Sequence, residues 1–316
     1  MTRAVVFAYH DVGARCLRTL RAHGVDVPLV VTHEDDPTEA RWFARVADVA
    51  NELGLRFVAP RDVNDPAIVR DVAALAPDFV FSFYCRQMLK APLLAAPRRG
   101  ALNMHGSLLP RYRGRAPVNW AVLHGERQTG ATLHYMSDKP DAGDIVAQRA
   151  VPILPDDTAA EVFAKVAVAA EIVLDAMLPA LIAGTAPRLP NDTTAGSYFG
   201  GRRPEDGRID WSLPATRIHD LVRAVAPPFP GARAIVAGRP ARLLRTRVLD
   251  AATAPDEPML ATRGAARGGA ADASPRLIAR CGGGGTLIVD VLEVDGLIAT
   301  PESLQRRFGD AALPLG

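Results

Sequence analysis

The sequence predicts an α/β protein in two parts: a mostly parallel sheet with helices on both faces, then a smaller β-barrel. Three observations carry this. Through the first two hundred residues, short apolar runs alternate with segments of helical period, the texture of βαβ units. At 200–207 the chain reads GGRRPEDG, a linker by composition. Beyond it, short β-like runs follow one another between Gly turns, as in a small barrel or sandwich. With 316 residues, 48 % of them hydrophobic, the chain can build both cores. The expected division is a Rossmann-like domain over 1–200 and an OB-like barrel domain over 201–316.

The elements follow in order. Ala4–Ala8 (AVVFA) is a buried strand, and a polar turn through Tyr9, His10 and Asp11 leads to a helix carrying Cys16, Leu17 and Leu20. Pro28–Thr32 (PLVVT) is the next strand, followed by helices at Thr38–Leu53 and Pro66–Ala76 with a short run at Arg56–Ala59 between them. Phe79–Tyr84 and Ala101–His105 are further buried strands; a helix follows Pro117, then strands at Ala131–Met136 and Ile145–Ile153. Thr158–Ile182 is a long Ala-rich helix with Asp157 as N-cap, ending at Gly184. The second part holds a helix at Pro214–Ala224 and strands at Ala232–Ala237, Ala241–Val248, Arg276–Cys281 and Thr286–Val294. Gly282–Gly285 reads as a hairpin turn, and Ala251–Ser274 as a mobile loop. No GxGxxG follows the first strand, so the dinucleotide fingerprint is absent where it belongs.

Composition narrows the function. A net charge of +2 is too small to argue for a nucleic-acid partner, none is expected, and the excess of Arg over Lys (Lys only at 90, 139 and 165) is a compositional habit rather than a phosphate-binding device. Cys16, Cys85 and Cys281 are too scattered for a disulfide framework and are expected as free thiols. His10, His33, His105, His124 and His134 lack metal-ligand spacing, so no metal is expected. No apolar run is expected to approach the roughly 18 residues of a membrane span. The start, MTRAVVFAYHDVG, lacks a signal-peptide cleavage site. A cytoplasmic protein without membrane insertion is expected.

Asn103 and His105 stand at the carboxyl end of a strand, where ligand crevices of such folds lie. Residues two apart on a strand point the same way, so amide and imidazole project together. Asp141, before Ala142 and Gly143, lies in a later loop from which a carboxylate could reach the imidazole. An Asn amide can donate to an oxyanion, and a His can move a proton, its pKa raised by a carboxylate. There is no evident nucleophile: Ser107 lacks an elbow motif, and Cys85 reads as packing. That set suits acyl or formyl transfer between two bound substrates. A structural His and Asn with a turn-forming Asp is the alternative.

The segment LNMHGSLLPRYRGRAPVNW (102–120) resembles the N-x-H … SLLPxxRG signature of the folate-dependent formyltransferase family, and DAGDI (141–145) resembles its aspartate motif. GGRRPEDGRIDW and RAVAPPFPGA are similar to the start of that family's C-terminal barrel. Within the family, VVFAYHDVG (5–13), FSFYCR (81–86) and DAGDIVAQ (141–148) are most similar to the UDP-4-amino-4-deoxy-L-arabinose formyltransferases of lipid A modification. The resemblance implies transfer of formyl from 10-formyltetrahydrofolate to the sugar 4-amino group. It assigns Asn103 to the oxyanion, His105 to proton transfer and Asp141 to raising the His105 pKa. Folate contacts would fall at Gln87, Met88 and Leu89 and at Ser137, Asp138, Lys139, Pro140 and Asp141, with Arg115 and Tyr9 on the nucleotide sugar. Gln87 departs from the His that those enzymes can carry. They are also fused to a decarboxylase, which this chain lacks up to Gly316, so a stand-alone transformylase is expected.

Rival readings are another nucleotide-linked amino sugar as acceptor, methionyl-tRNA, or a non-catalytic folate sensor. Residues 206–316 hold about 14 basic against about 12 acidic side chains, which disfavours a broad tRNA surface.

Overall fold

The computed structural model describes residues 1–35, 41–263 and 275–316. The chain forms two compact units. One gathers Met1–Val118, Gln128–Pro152 and Val162–Gly201, the other Asn119–Arg127, Ile153–Glu161 and Arg202–Gly316.

The first unit contains β1 (Arg3–Ala8), α1 (His10–Ala22), β2 (Asp26–Val31), α2 (Val46–Glu52), β3 (Phe57–Val58), α3 (Pro66–Ala74), β4 (Phe79–Phe83), α4 (Ala91–Ala95) and β5 (Gly100–His105). There follow β6 (Arg113–Gly114), α5 (Pro117–Leu123), β7 (Gln128–Tyr135), β8 (Ile145–Pro152), α6 (Ala159–Ala183) and β9 (Tyr198–Phe199), with α5 and α6 crossing the division between units. The sheet order is β3-β2-β1-β4-β5-β7-β8. Strands β1 to β5 are parallel, whereas β7 and β8 run antiparallel. All five residues of β4 are buried, as a strand covered on both faces requires. Val5 and Phe7 join Val72 of α3 and Leu93 of α4 in one apolar cluster. Ala8 points the other way, where Gly13 of α1 comes so close that an added Cβ would lie 3.0 Å from that of Ala8. Helix α6 is tied to α1 by Arg15–Glu171 (2.5 Å) and His23–Asp175 (2.8 Å). The predicted α/β layer, with helices on both faces, is present.

The second unit contains α7 (Ala215–Val225), β10 (Ala232–Val236), β11 (Arg239–Asp250), β12 (Met259–Arg263), β13 (Arg276–Arg280), β14 (Thr286–Val294), β15 (Leu297–Ala299), α8 (Pro301–Phe308) and β16 (Leu313–Pro314). An antiparallel sheet, β10-β11-β14-β13-β12-β16, curls around Ile218 and Val222 of α7. Ile235 and Gly316 exchange backbone hydrogen bonds of 2.7 and 3.0 Å, bringing the last strand back to the first. The hairpin turn at Gly282–Gly285 is where the sequence puts it, closed by Cys281 N–H on Gly285 O at 3.1 Å.

Several boundaries differ from expectation. Helix α2 begins at Val46: residues 41–45 are not helical, and 38–40 lie outside the described residues. Thr158, not Asp157, caps α6. Its hydroxyl accepts from Glu161 N–H while the Glu161 carboxylate takes the Thr158 N–H at 2.7 Å. The Asp157 side chain instead accepts from Leu154 N–H at 2.6 Å. The segment expected as a loop over 251–274 contains β12, and 264–274 lie outside the described residues. By length and composition α6 is apolar enough to cross a membrane. Its buried face (Val162, Val166, Ala170, Val173, Leu174, Leu178, Leu181) and its ion pairs to α1 mark it instead as a core helix.

Candidate active site

Asn103 and His105 lie on one face of β5, and strand register adds a residue that sequence reading missed. Asn103 stands directly opposite His134 of β7, and His105 opposite Thr132. The His134 Nδ1 lies 2.8 Å from the Tyr135 carbonyl, which only accepts, so Nδ1 carries the proton. Nε2 therefore accepts from the Asn103 amide at 3.1 Å, fixing which end of Asn103 is nitrogen. The second amide hydrogen reaches Asp141 Oδ1 at only 3.4 Å.

Asp141 arrives by an unexpected route. Because β7 is antiparallel to β5, the chain leaves it near the start of β5, where Met136 N–H bonds Ala101 O at 2.8 Å. Residues 137–144 then fold back over the sheet face. Gly143 makes this return possible: a Cβ there would lie 2.0 Å from Tyr135 O. Asn191, also missed in the sequence, clasps the loop by donating to the carbonyls of Asp141 (3.0 Å) and Gly143 (3.2 Å). Asp141 Oδ2 accepts the Gly114 N–H at 2.9 Å, and Oδ1 lies 3.5 Å from both His105 Nδ1 and His134 Nε2.

The electrostatics set distinct roles. Burial pushes the His105 pKa down; the Asp141 carboxylate and the Tyr112 carbonyl oppose that without overcoming it. Asp141 therefore acts on His105 in the expected upward direction, but desolvation is larger and the net shift is downward. Since Nε2 sits 2.8 Å from Tyr112 O, the neutral ring carries its proton there and its Nδ1 lone pair faces Asp141. For Asp141 burial acts upward, but the neighbouring His105 and His134 and the Gly114 N–H bring its pKa down to about 2. At neutral pH the site holds a carboxylate beside a neutral imidazole.

The loop after β5 is pinned independently. Gln148 of β8 donates to Leu109 O (2.8 Å) and Thr132 Oγ1 (2.9 Å), and Thr132 donates to Ser107 O (2.6 Å). The Ser107 hydroxyl donates to Arg111 O at 2.7 Å. Among the described residues, five of the eight non-glycine residues with positive φ (His10, Tyr84, Tyr112, Ala116, Asp141) sit in the turns that follow β1, β4, β5 and β7. Such concentration of strained backbone is a mark of functional loops.

The remaining candidates are not all available to a ligand through their side chains. Gln87 is committed to Val63 N–H (2.9 Å) and Arg61 O (2.7 Å), and Leu89 is buried in the α3–α4 cluster. Met88 is 57 % exposed. Ser137 bonds Lys139 O at 3.1 Å; Asp138 and Lys139 are exposed, and Pro140 is half-buried. Tyr9 donates to Asp35 at 3.0 Å with Arg86 over its ring, and the Arg115 side chain runs beside Gly201. Among the described residues no three His, Cys, Asp or Glu side chains group as metal ligands.

A model of the formyl transferase family matches residues 3–178, and one of the formyl transferase C-terminal domain matches 202–306. The chain belongs to the formyl transferase family. Among solved structures, this formyl transferase is similar to an N-formyltransferase from Helicobacter canadensis, in complex with folinic acid and dTDP-3-aminofucose. The TM-score is 0.66 at 16 % identity, over 92 % of this chain and 99 % of that one. It is equally similar to WlaRD, a sugar 3N-formyl transferase solved in the presence of dTDP and 5-N-formyl-THF (TM-score 0.66, 17 % identity, 91 % and 97 % covered). A sugar N-formyltransferase from a Shewanella species matches with a TM-score of 0.59 at 19 % identity, covering 74 % and 92 %. At these identities the likeness is one of fold.

Proposed function

We propose that this enzyme transfers a formyl group from 10-formyltetrahydrofolate to the amino group of a nucleotide-linked sugar in the cytoplasm. The proposed acceptor is UDP-4-amino-4-deoxy-L-arabinose, as in lipid A modification. The observation that carries the reading is the buried neutral His105, its Nδ1 lone pair aimed at Asp141 beside the Asn103 amide. Family membership, the ligands in the H. canadensis and WlaRD structures, and the likeness of 102–120 and 141–148 to the arabinose enzymes support it.

The folate co-substrate supplies an activated formyl carbon. Asn103 releases its long hydrogen bond to Asp141 and turns that hydrogen to the oxygen that gains charge, a term of about 3 kcal/mol in well-placed cases. His105 Nδ1 takes one proton from the acceptor nitrogen after it bonds the formyl carbon. Asp141 stabilises the imidazolium so formed, and the proton returns to the folate nitrogen as its bond to carbon breaks. Met88, Asp138 and Lys139 stand open to the folate and Pro140 is partly so, while Gln87 and Leu89 offer backbone only. Arg115, which makes no side-chain ion pair among the described residues, is the cation for the diphosphate.

The test is an acceptor panel with 10-formyltetrahydrofolate: UDP-4-amino-4-deoxy-L-arabinose, a UDP- or dTDP-aminohexose, and charged methionyl-tRNA. N-formyl-arabinosamine product is expected, with His105→Ala slower by about 10²–10⁴. Formylation of an aminohexose alone would move the acceptor, and of tRNA alone would overturn the sugar reading.

A further inference from the structure

We infer that the outer face of the barrel carries a second binding site, for a small molecule with a phosphoryl head and an apolar body. Arg208, Arg233, Ile235, Pro240, Arg242 and Glu293 line a concavity of about 680 Å³. Strand register explains how the charges meet. Arg208 bridges Arg233, Arg233 stands opposite Arg242, and Arg242 opposite Glu293, so three guanidiniums and one carboxylate form a row across the sheet.

The carboxylate in that row is taken. Glu293 holds Arg242 in two bonds of 2.8 and 2.5 Å, and Arg242 also donates to Pro230 O at 3.0 Å. Arg208 and Arg233 are both exposed, and neither makes an ion pair among the described residues; nor does Glu205, which also lines the concavity, so the two free guanidiniums there outnumber the one free carboxylate side chain. Three other arginines of the same sheet are paired: Arg239 with Asp295 (3.2 Å), Arg247 with Asp290 (2.6 Å) and Arg280 with Asp256. Like charges side by side in register repel. An anion bridging Arg208 and Arg233 removes that repulsion, and a phosphoryl group fits because each planar guanidinium presents two parallel N–H donors.

The apolar half lies one step along the same face. Ile235, two residues from Arg233, is 39 % exposed and stands opposite Pro240. A flat or aliphatic body attached to the phosphoryl group would cover both. All these residues belong to the second unit, and the inference does not depend on the formyl-transfer reading.

Calorimetric titration of the full chain with 1-naphthyl phosphate and with inorganic phosphate tests it. The naphthyl ester should bind at least about tenfold more tightly than phosphate. Arg208→Gln combined with Arg233→Gln should weaken both ligands at least about tenfold. Ile235→Ser should bring the ester down to the affinity of phosphate and leave phosphate unchanged. All positions are exposed, so the variants should keep the wild-type melting temperature. Unchanged binding in the double variant, or ester located away from Arg208 and Arg233 in soaked crystals, would overturn the site. Equal affinity for ester and phosphate in the wild type would overturn its apolar half.

Discussion

Burial and a carboxylate pull on His105 in opposite directions, and the balance decides what the residue can do. A His held protonated by Asp141 would have no lone pair for an incoming ammonium. Burial keeps the ring neutral, Tyr112 O fixes the tautomer, and Asp141 waits to stabilise the charge once a proton arrives. The imidazole resonances of His105 should therefore titrate below the ordinary His value. Asp141→Asn should lower that pKa further, because the group acting upward is gone, and should slow turnover by about 10²-fold or more. A rise in the His105 pKa in that variant would contradict the balance. Asn103, His105 and Asp141 were legible in the sequence, since strand alternation puts the first two on one side and the third carries a recognisable motif. His134 was not: its place depends on which β7 residue faces Asn103, and register leaves no local mark. Asn191 was hidden for the same reason, fifty residues from the carbonyl it holds.

At the level of elements, the site depends on how β7 turns into β8. The two runs read as strands, but nothing in them announces that the sheet changes from parallel to antiparallel at β5, because a buried strand has the same composition in either direction. The direction matters: it sends residues 137–144 away from His105 and obliges them to fold back under Gly143. Gly143→Ala would push a Cβ against Tyr135 O and displace the loop that carries Asp141. Its kcat/KM should fall by about 10²-fold, as misplacement of a positioned group predicts. Gly200→Ala, at a position with nothing within 4 Å of a new Cβ, should leave the rate unchanged. Wild-type kinetics in Gly143→Ala would show that the returning loop tolerates the shift. The missed strand β12 and short helices α4 and α8 have a simpler cause. They are five to eight residues long, so their local periodicity is too brief to separate them from the loops around them.

Across the whole molecule, the histidines make the fold sensitive to acid before its carboxylates titrate. Of seven His residues, His10, His33, His105 and His124 have pKa values pushed down, each chiefly by burial. His10 is the extreme: it lies between Phe43, Trp42 and Phe163 with ring centroids 4.0–4.6 Å away, and its pKa falls to about 3. A lowered His pKa means that the unfolded chain binds the proton first. Stability is therefore full above the unfolded value near 6.5 and falls with pH until the folded value is reached. For His10 alone the window runs from pH 6.5 to about 3, on the order of 5 kcal/mol in total. Asp141, lowered to about 2, acts later: its contribution is present above its unfolded pKa and is lost only as pH falls toward 2. Urea unfolding at pH 7, 6 and 5 should show the midpoint dropping across this range, well before carboxylates protonate. His10→Gln should flatten the slope even if it lowers the stability at pH 7, since the slope counts protons and the level does not. A midpoint constant from pH 7 to 5 in the wild type would mean that these rings accept protons in the folded protein, and the neutral state assigned to His105 would fall with them.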